Sequence, residues 1–180
     1  MGLRDLAASR LPLNRKERFY TGTVFPGIVC ADSLKYLCRL WALLDISAPQ
    51  VNAAPEAANI QFFTEYNLAE SIHTPTDKER FKGGNFGSRD TPDVMILVEG
   101  VDATPPLLVA MEAKLYSRLD AAELNDQLGR QWENVLKGLP LIWPGLSVIH
   151  VALLPCDFGI ADTDLRPVSD DHELRMLRWE

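Results

Sequence analysis

Two apolar runs joined by a short turn constrain this chain more than any other feature. Residues 93–99, Asp-Val-Met-Ile-Leu-Val-Glu, and residues 107–115, Leu-Leu-Val-Ala-Met-Glu-Ala-Lys-Leu, are rich in β-branched and aliphatic side chains. Both read as strands. Pro92 stands at the mouth of the first, where a missing N–H matters least. Gly100–Pro106 reads as the turn between them. Antiparallel pairing centred on that turn, near Asp102, sets Asp93 opposite Glu112. Glu112 and Lys114 are two apart on a strand, so both side chains leave the same face. The hairpin thus gathers two carboxylates and one ammonium at one end.

That trio suits metal-assisted hydrolysis of a phosphodiester. Carboxylate oxygens hold hard divalent ions such as Mg²⁺. Such an ion polarises a phosphate and lowers the pKa of a bound water. An adjacent lysine steadies the developing negative charge.

The rest of the chain supplies the frame. Residues 1–28 read as a polar arm followed by a loop with Thr21-Gly22-Thr23 and Pro26-Gly27. A helix should follow, capped by Asp32 or Ser33, with Leu34, Leu37, Cys38, Trp41 and Leu44 on its buried face. Residues 59–68 look like a first strand, with Ile60, Phe62 and Thr64 alternating against Phe63, Glu65 and Asn67. A long loop from Thr74 to Asp90 holds three glycines together with Lys78, Arg80, Lys82 and Arg89. Long loops of this kind are often functional. A helix over 120–137 opens on an Asp120/Glu123 capping box. Its core stripe is Leu124, Leu128, Trp132 and Val135, and Gly138 and Pro140 should stop it. Residues 147–154 are nearly all apolar, as in a strand buried on both faces. Strand, helix, strand at this spacing implies a parallel crossover. Beyond Pro155 the chain is acidic until Leu174–Trp179, which reads as a last short strand. The abrupt end at Glu180 is what one part of a longer protein would show. The organisation expected is therefore an arm over 1–28, an α/β core over 29–155 and a C-terminal extension over 156–180.

Composition excludes some functions. At 180 residues the chain can bury a core of its own. A net charge of −7 argues against a protein that holds nucleic acid by electrostatics alone. A nuclease survives that objection, because bound metal supplies local positive charge. Cys30, Cys38 and Cys156 form no Cys-x-x-Cys pair, which suggests reduced core thiols and a cytoplasmic location. No apolar run is long enough for a signal peptide or a membrane span. Position 6, which follows Gly2 in the myristoylation pattern, is neither Ser nor Thr.

The order helix, three strands, helix, strand, with Thr91-Pro92-Asp93 and Glu112-Ala113-Lys114 on consecutive strands, resembles the PD-(D/E)XK nuclease superfamily. The resemblance covers about residues 30–154. It extends to Gln127 and Gln131, four apart on the following helix, which are similar to the Gln-x-x-x-Gln of bacterial members. The resemblance implies a restriction-endonuclease-like mixed sheet with an αβββαβ core and helices on both faces. It implies Mg²⁺ or Mn²⁺ held by Asp93, Glu112 and the Ala113 carbonyl. Lys114 would position water or stabilise charge, and Gln127 and Gln131 would contact the Lys114 region or the phosphate. The partner implied is nucleic acid, DNA ahead of RNA. A role in bacterial antiviral defence or DNA processing follows from family habit. The upstream acid is open: members often carry it on the first helix, whereas here Glu65 lies in the first strand, with Glu70 and Asp32 as rivals.

Ordinary explanations compete. Glu112 and Lys114 taken singly would be a solvated pair on an edge strand. Glu65 would be a surface glutamate, and Gln127 and Gln131 plain helix polarity. His150, inside an apolar strand, reads as a hydrogen-bonded core histidine; His73 and His172 are scattered, and no Cys/His cluster supports zinc. The Gly83-Gly84 loop lacks the Gly-Lys-Ser/Thr ending of a phosphate-binding loop. Trp41 and Trp132 read as core. Two classes remain: a metal-dependent endonuclease, or a nuclease-fold domain without catalysis that binds or scaffolds. The acidic charge suggests that either would work with a partner protein or as a homo-oligomer.

Overall fold

The computed structural model describes residues 20–46, 59–66, 90–99, 105–114 and 120–179. One turn of π-helix at Tyr20–Val24 leads into helix α1, Phe25–Val29, and then α2, Ala31–Leu43. Strands β1 (Asn59–Thr64), β2 (Val94–Glu99) and β3 (Leu107–Ala113) follow. Helix α3, Ala121–Asn134, and the short α4, Leu139–Ile142, precede β4 (Ser147–Pro155) and β5 (Leu174–Trp179).

The five strands form one mixed sheet in chain order. β1, β2 and β3 are a meander of antiparallel pairs, while β3, β4 and β5 run parallel. β3 is therefore the strand where the two kinds of pairing meet. Its register with β2 sets Val94 opposite Met111, which extends to Asp93 opposite Glu112 as the sequence predicts. The last run joins the sheet as β5, so the segment after Pro155 is built into the core sheet.

Period-2 alternation divides the sheet between two layers. Val94, Ile96, Val98, Val109 and Met111 pack with Leu37, Leu40, Trp41 and Leu44 of the α2 region. Met95, Leu97, Leu108 and Ala110 pack with Trp132, Val135 and Leu136 at the end of α3. Leu124 and Leu128 of the same helix cover Ala152 and Leu154 of β4. Glu112 and Lys114 have the parity of Leu108 and Ala110, so they face α3.

The capping box forms: the Glu123 N–H donates to Asp120 Oδ1 at 2.8 Å and the Asp120 N–H to Glu123 Oε2 at 3.4 Å. The expected stripe Leu124, Leu128, Trp132 and Val135 is buried throughout.

Several expectations are corrected. Residues 20–29 are helical, not a loop. Pro26 sits in the first turn of α1, where no N–H is required of it. Asp32 does not cap α2: it lies in the first turn, exposed, and pairs with Lys35 at 3.2 Å. On α2, Leu40 takes the buried place expected for Cys38, and Leu34 is only half-buried. All three cysteines are exposed thiols, not core residues. β1 ends at Thr64, before Glu65, where φ turns positive at 48°. α3 stops at Asn134, and Gly138 and Pro140 open α4 instead of ending the long helix. Glu70, His73 and the basic loop residues Lys78, Arg80, Lys82 and Arg89 lie outside the described residues. No helix among the described residues is long and apolar enough to cross a membrane.

Candidate active site at the β2–β3 end

The site begins with an interrupted ladder. Extending the β2–β3 register sets Pro92 opposite Ala113. Pro92 has no N–H to give the Ala113 carbonyl. The Ala113 N–H donates to the side chain of Asp93, to Oδ2 at 2.8 Å. Asp93 is thus held against β3 by its own carboxylate, and its main-chain carbonyl accepts from the Glu65 N–H at 3.0 Å. The Pro-Asp pair therefore gives the Ala113 carbonyl no ladder donor from residue 92 and anchors one carboxylate at the same point.

Glu112 lies beside it, 1% exposed, and its carboxylate accepts from three protein donors. Lys114, also buried, donates from Nζ to Oε1. Gln127 Nε2 donates to the same oxygen at 2.7 Å. Gln131 Nε2 donates to Oε2 at 2.6 Å and to the Thr91 carbonyl at 3.3 Å. Helical spacing explains the pair, since residues four apart share a face. A lone buried carboxylate would cost several kcal/mol, so these three donors are what permit it.

The segment before Asp93 is fastened to the same helix. Asp90, 5% exposed, accepts from Asn134 Nδ2 at 3.1 Å and lies 3.4 Å from Arg130 Nε. Thr91 adds its bond to Gln131. α3 therefore fixes both strands whose ends make the site.

Behind Gln131 the polar chain continues. His150 Nε2 lies 3.0 Å from Gln131 Oε1, and His150 Nδ1 lies 3.0 Å from His172 Nε2. The Val168 N–H donates to His172 Nδ1 at 3.1 Å. The His172 ring stacks on Trp132 with centroids 4.4 Å apart. Burial, with His172 adding to it, pushes the His150 pKa down from 6.5 to about 3. Burial also lowers His172, against the pull of Asp171 and Glu133.

Of the residues expected at the site, Glu112, Lys114, Gln127 and Gln131 make one hydrogen-bonded cluster, and Asp93 joins it through Ala113. Glu65 is exposed and touches Asp93 through the backbone. Asp32 pairs with Lys35 on α2, away from these contacts. His150 is the hydrogen-bonded core histidine that its apolar strand implies. His172, Asp90, Asn134 and the Thr91 carbonyl were not legible as members. Only the Asn134/Gln131/Gln127 recurrence along one helix face hinted at them.

The oxygens of Asp93 and Glu112 and the Ala113 carbonyl are the kind of donors that a hard divalent ion would take. That set fits Mg²⁺, which takes few protein ligands and keeps several waters. Glu112 offers roughly four lone-pair positions and uses three. No group of three or more His, Cys, Asp or Glu among the described residues forms a ready metal cage. A cavity of about 300 Å³ on the other sheet face, lined by Phe25, Met111, Ala113 and Trp179 among others, has no carboxylate lining and is no rival for this chemistry. No family model, curated protein or solved structure matches the chain.

Proposed function

We propose that this chain is a metal-dependent endonuclease of the restriction-endonuclease-like fold, hydrolysing phosphodiesters in nucleic acid, DNA ahead of RNA. The observation that carries the reading is the cluster Asp93–Ala113–Glu112–Lys114 at the end where β2 begins and β3 finishes. Asp93, Glu112 and the Ala113 carbonyl would hold Mg²⁺ or Mn²⁺. Bound there, the ion would polarise the phosphate and acidify a water. Lys114 keeps a positive charge beside the carboxylates, where the phosphate oxygens gather negative charge. Gln127 and Gln131 keep Glu112 in one orientation. Glu65, whose N–H donates to the Asp93 carbonyl, would be the additional acid.

One observation favours a second reading, a nuclease-fold domain that binds or scaffolds. Both Glu112 oxygens are already satisfied by protein donors, which a purely structural carboxylate would also require.

Cleavage assays at high enzyme and low salt, with Mg²⁺ or Mn²⁺ and single- and double-stranded DNA and RNA, separate the two. Wild type should cut. Asp93→Ala should lose both metal binding and cutting. Lys114→Gln should keep metal binding and lose kcat more than KM. Both variants remove the charge partner of Glu112, but Lys114→Gln keeps an N–H donor beside it where Lys114→Ala keeps none, so the glutamine variant is the cleaner probe. No cleavage and no metal binding by the wild type supports the scaffolding reading.

A further inference from the structure

The hydrogen bonds behind Glu112 have only one self-consistent direction. Glu112 Oε2 and the Thr91 carbonyl are pure acceptors, so the Gln131 amide must turn its N–H groups to them. Its Oε1 then faces His150 Nε2, which must carry the proton. A neutral ring has one donor, so His150 Nδ1 is the acceptor, and His172 Nε2 must donate to it. His172 Nδ1 is then the acceptor that the Val168 N–H requires. The chain starts on a backbone donor and ends on a carboxylate. A second proton on either ring would set donor against donor.

Every member is sequestered. Gln131 and His150 are 0% exposed and His172 3%. The ring of His172 is clamped by stacking on Trp132, whose Nε1 donates to Ser169 Oγ at 3.2 Å. The His172 N–H donates to the Ser169 carbonyl at 3.0 Å, which fixes the backbone that carries the ring.

We propose that His150 and His172 are positioning residues of this site: the His150 N–H, aligned by His172, satisfies Gln131 Oε1 and so holds in place the amide orientation that Glu112 and the Thr91 carbonyl select. Without a donor at His150 Nε2, Gln131 Oε1 is left buried and unsatisfied, so the amide is drawn toward other donors and its hold on Glu112 loosens. Glu112 would then sample orientations that the metal and Lys114 do not fit. The effect on turnover rests on the nuclease reading; the hydrogen-bond order does not.

The test uses ¹⁵N-labelled full chain. Ring spectra of the wild type should show both histidines neutral and protonated at Nε2, and this needs no variant that might fail to fold. Gln131 side-chain protons should be protected from exchange in the wild type, lose protection in His150→Leu and regain it in His150→Gln, whose amide again supplies an N–H. With Mg²⁺, His150→Leu should lower kcat about 10–100-fold with KM little changed, the range found when a residue supporting a ligand is removed. His150→Gln should recover most of it. A ring protonated at Nδ1, or Gln131 protection unchanged in a folded His150→Leu, overturns the proposal. If the wild type neither binds metal nor cuts, the nuclease reading falls, while the ring and amide signals still decide the positioning role.

Discussion

Acid should weaken this fold by an amount traceable to one ring. His150 is fully buried, and its pKa falls from 6.5 to about 3. The sign follows from which state takes the proton. Between pH 6.5 and 3 the unfolded chain protonates this histidine and the folded chain does not. Stability is therefore lost as pH falls through that window, and the loss levels off below about 3. Each unit inside the window is worth about 1.4 kcal/mol. From pH 7 to pH 5 the ring accounts for about 2 kcal/mol, a large share of the roughly 5–15 kcal/mol that holds a typical domain. His172, also lowered, acts in the same direction. The assay is urea unfolding at pH 7 and pH 5 for wild type and His150→Gln. Carboxylate titrations are common to both proteins and drop out of the difference. Wild type should lose about 2 kcal/mol more than the variant over that interval. Equal losses would refute the claim that His150 is buried and neutral.

Two further outcomes follow from the local structure. Pro92→Ala supplies the N–H that the ladder lacks opposite Ala113; if that carbonyl is a metal ligand, Mg²⁺ affinity by calorimetry should fall about tenfold, whereas unchanged affinity removes Ala113 from the ligand set. Asp120→Ala breaks the capping box of α3 and should cost about 1 kcal/mol in urea unfolding; no loss would mean that tertiary packing alone holds the start of that helix.

What could be read from sequence was what local rules govern. The pairing of Asp93 with Glu112 needed only a turn and a period of two, and the capping box of α3 only four residues. The buried stripe of α3 was legible because one periodicity ran through it. At 20–29 the two glycines and Pro26 suggested a loop, yet Pro26 fits a first helical turn, so the breaker signal misled. On α2, Cys38 and Leu40 are both apolar enough for the stripe, and only packing against the sheet chose Leu40. His172 was invisible because it joins the site through the parallel docking of β5 on β4, after a connection with little pattern. The deep polar chain depends on three elements meeting, which no single window of sequence contains.

The spacing of those contacts along the chain has its own consequence. Asp93 reaches Ala113 across 20 residues, Glu112 reaches Gln131 across 19, Gln131 reaches His150 across 19, and His150 reaches His172 across 22. The entropy of closing a loop grows only with the logarithm of its length, so these links carry nearly equal costs. Contacts of modest sequence separation also favour rapid folding. The polar centre can therefore be stitched from its N-terminal end in near-equal steps, and none waits for distant termini to find each other. A chain leaving the ribosome would expose the carboxylates first, then the amide, then the two rings. A truncation just upstream of His172 would keep the β2–β3 hairpin and strip the centre of its final anchor.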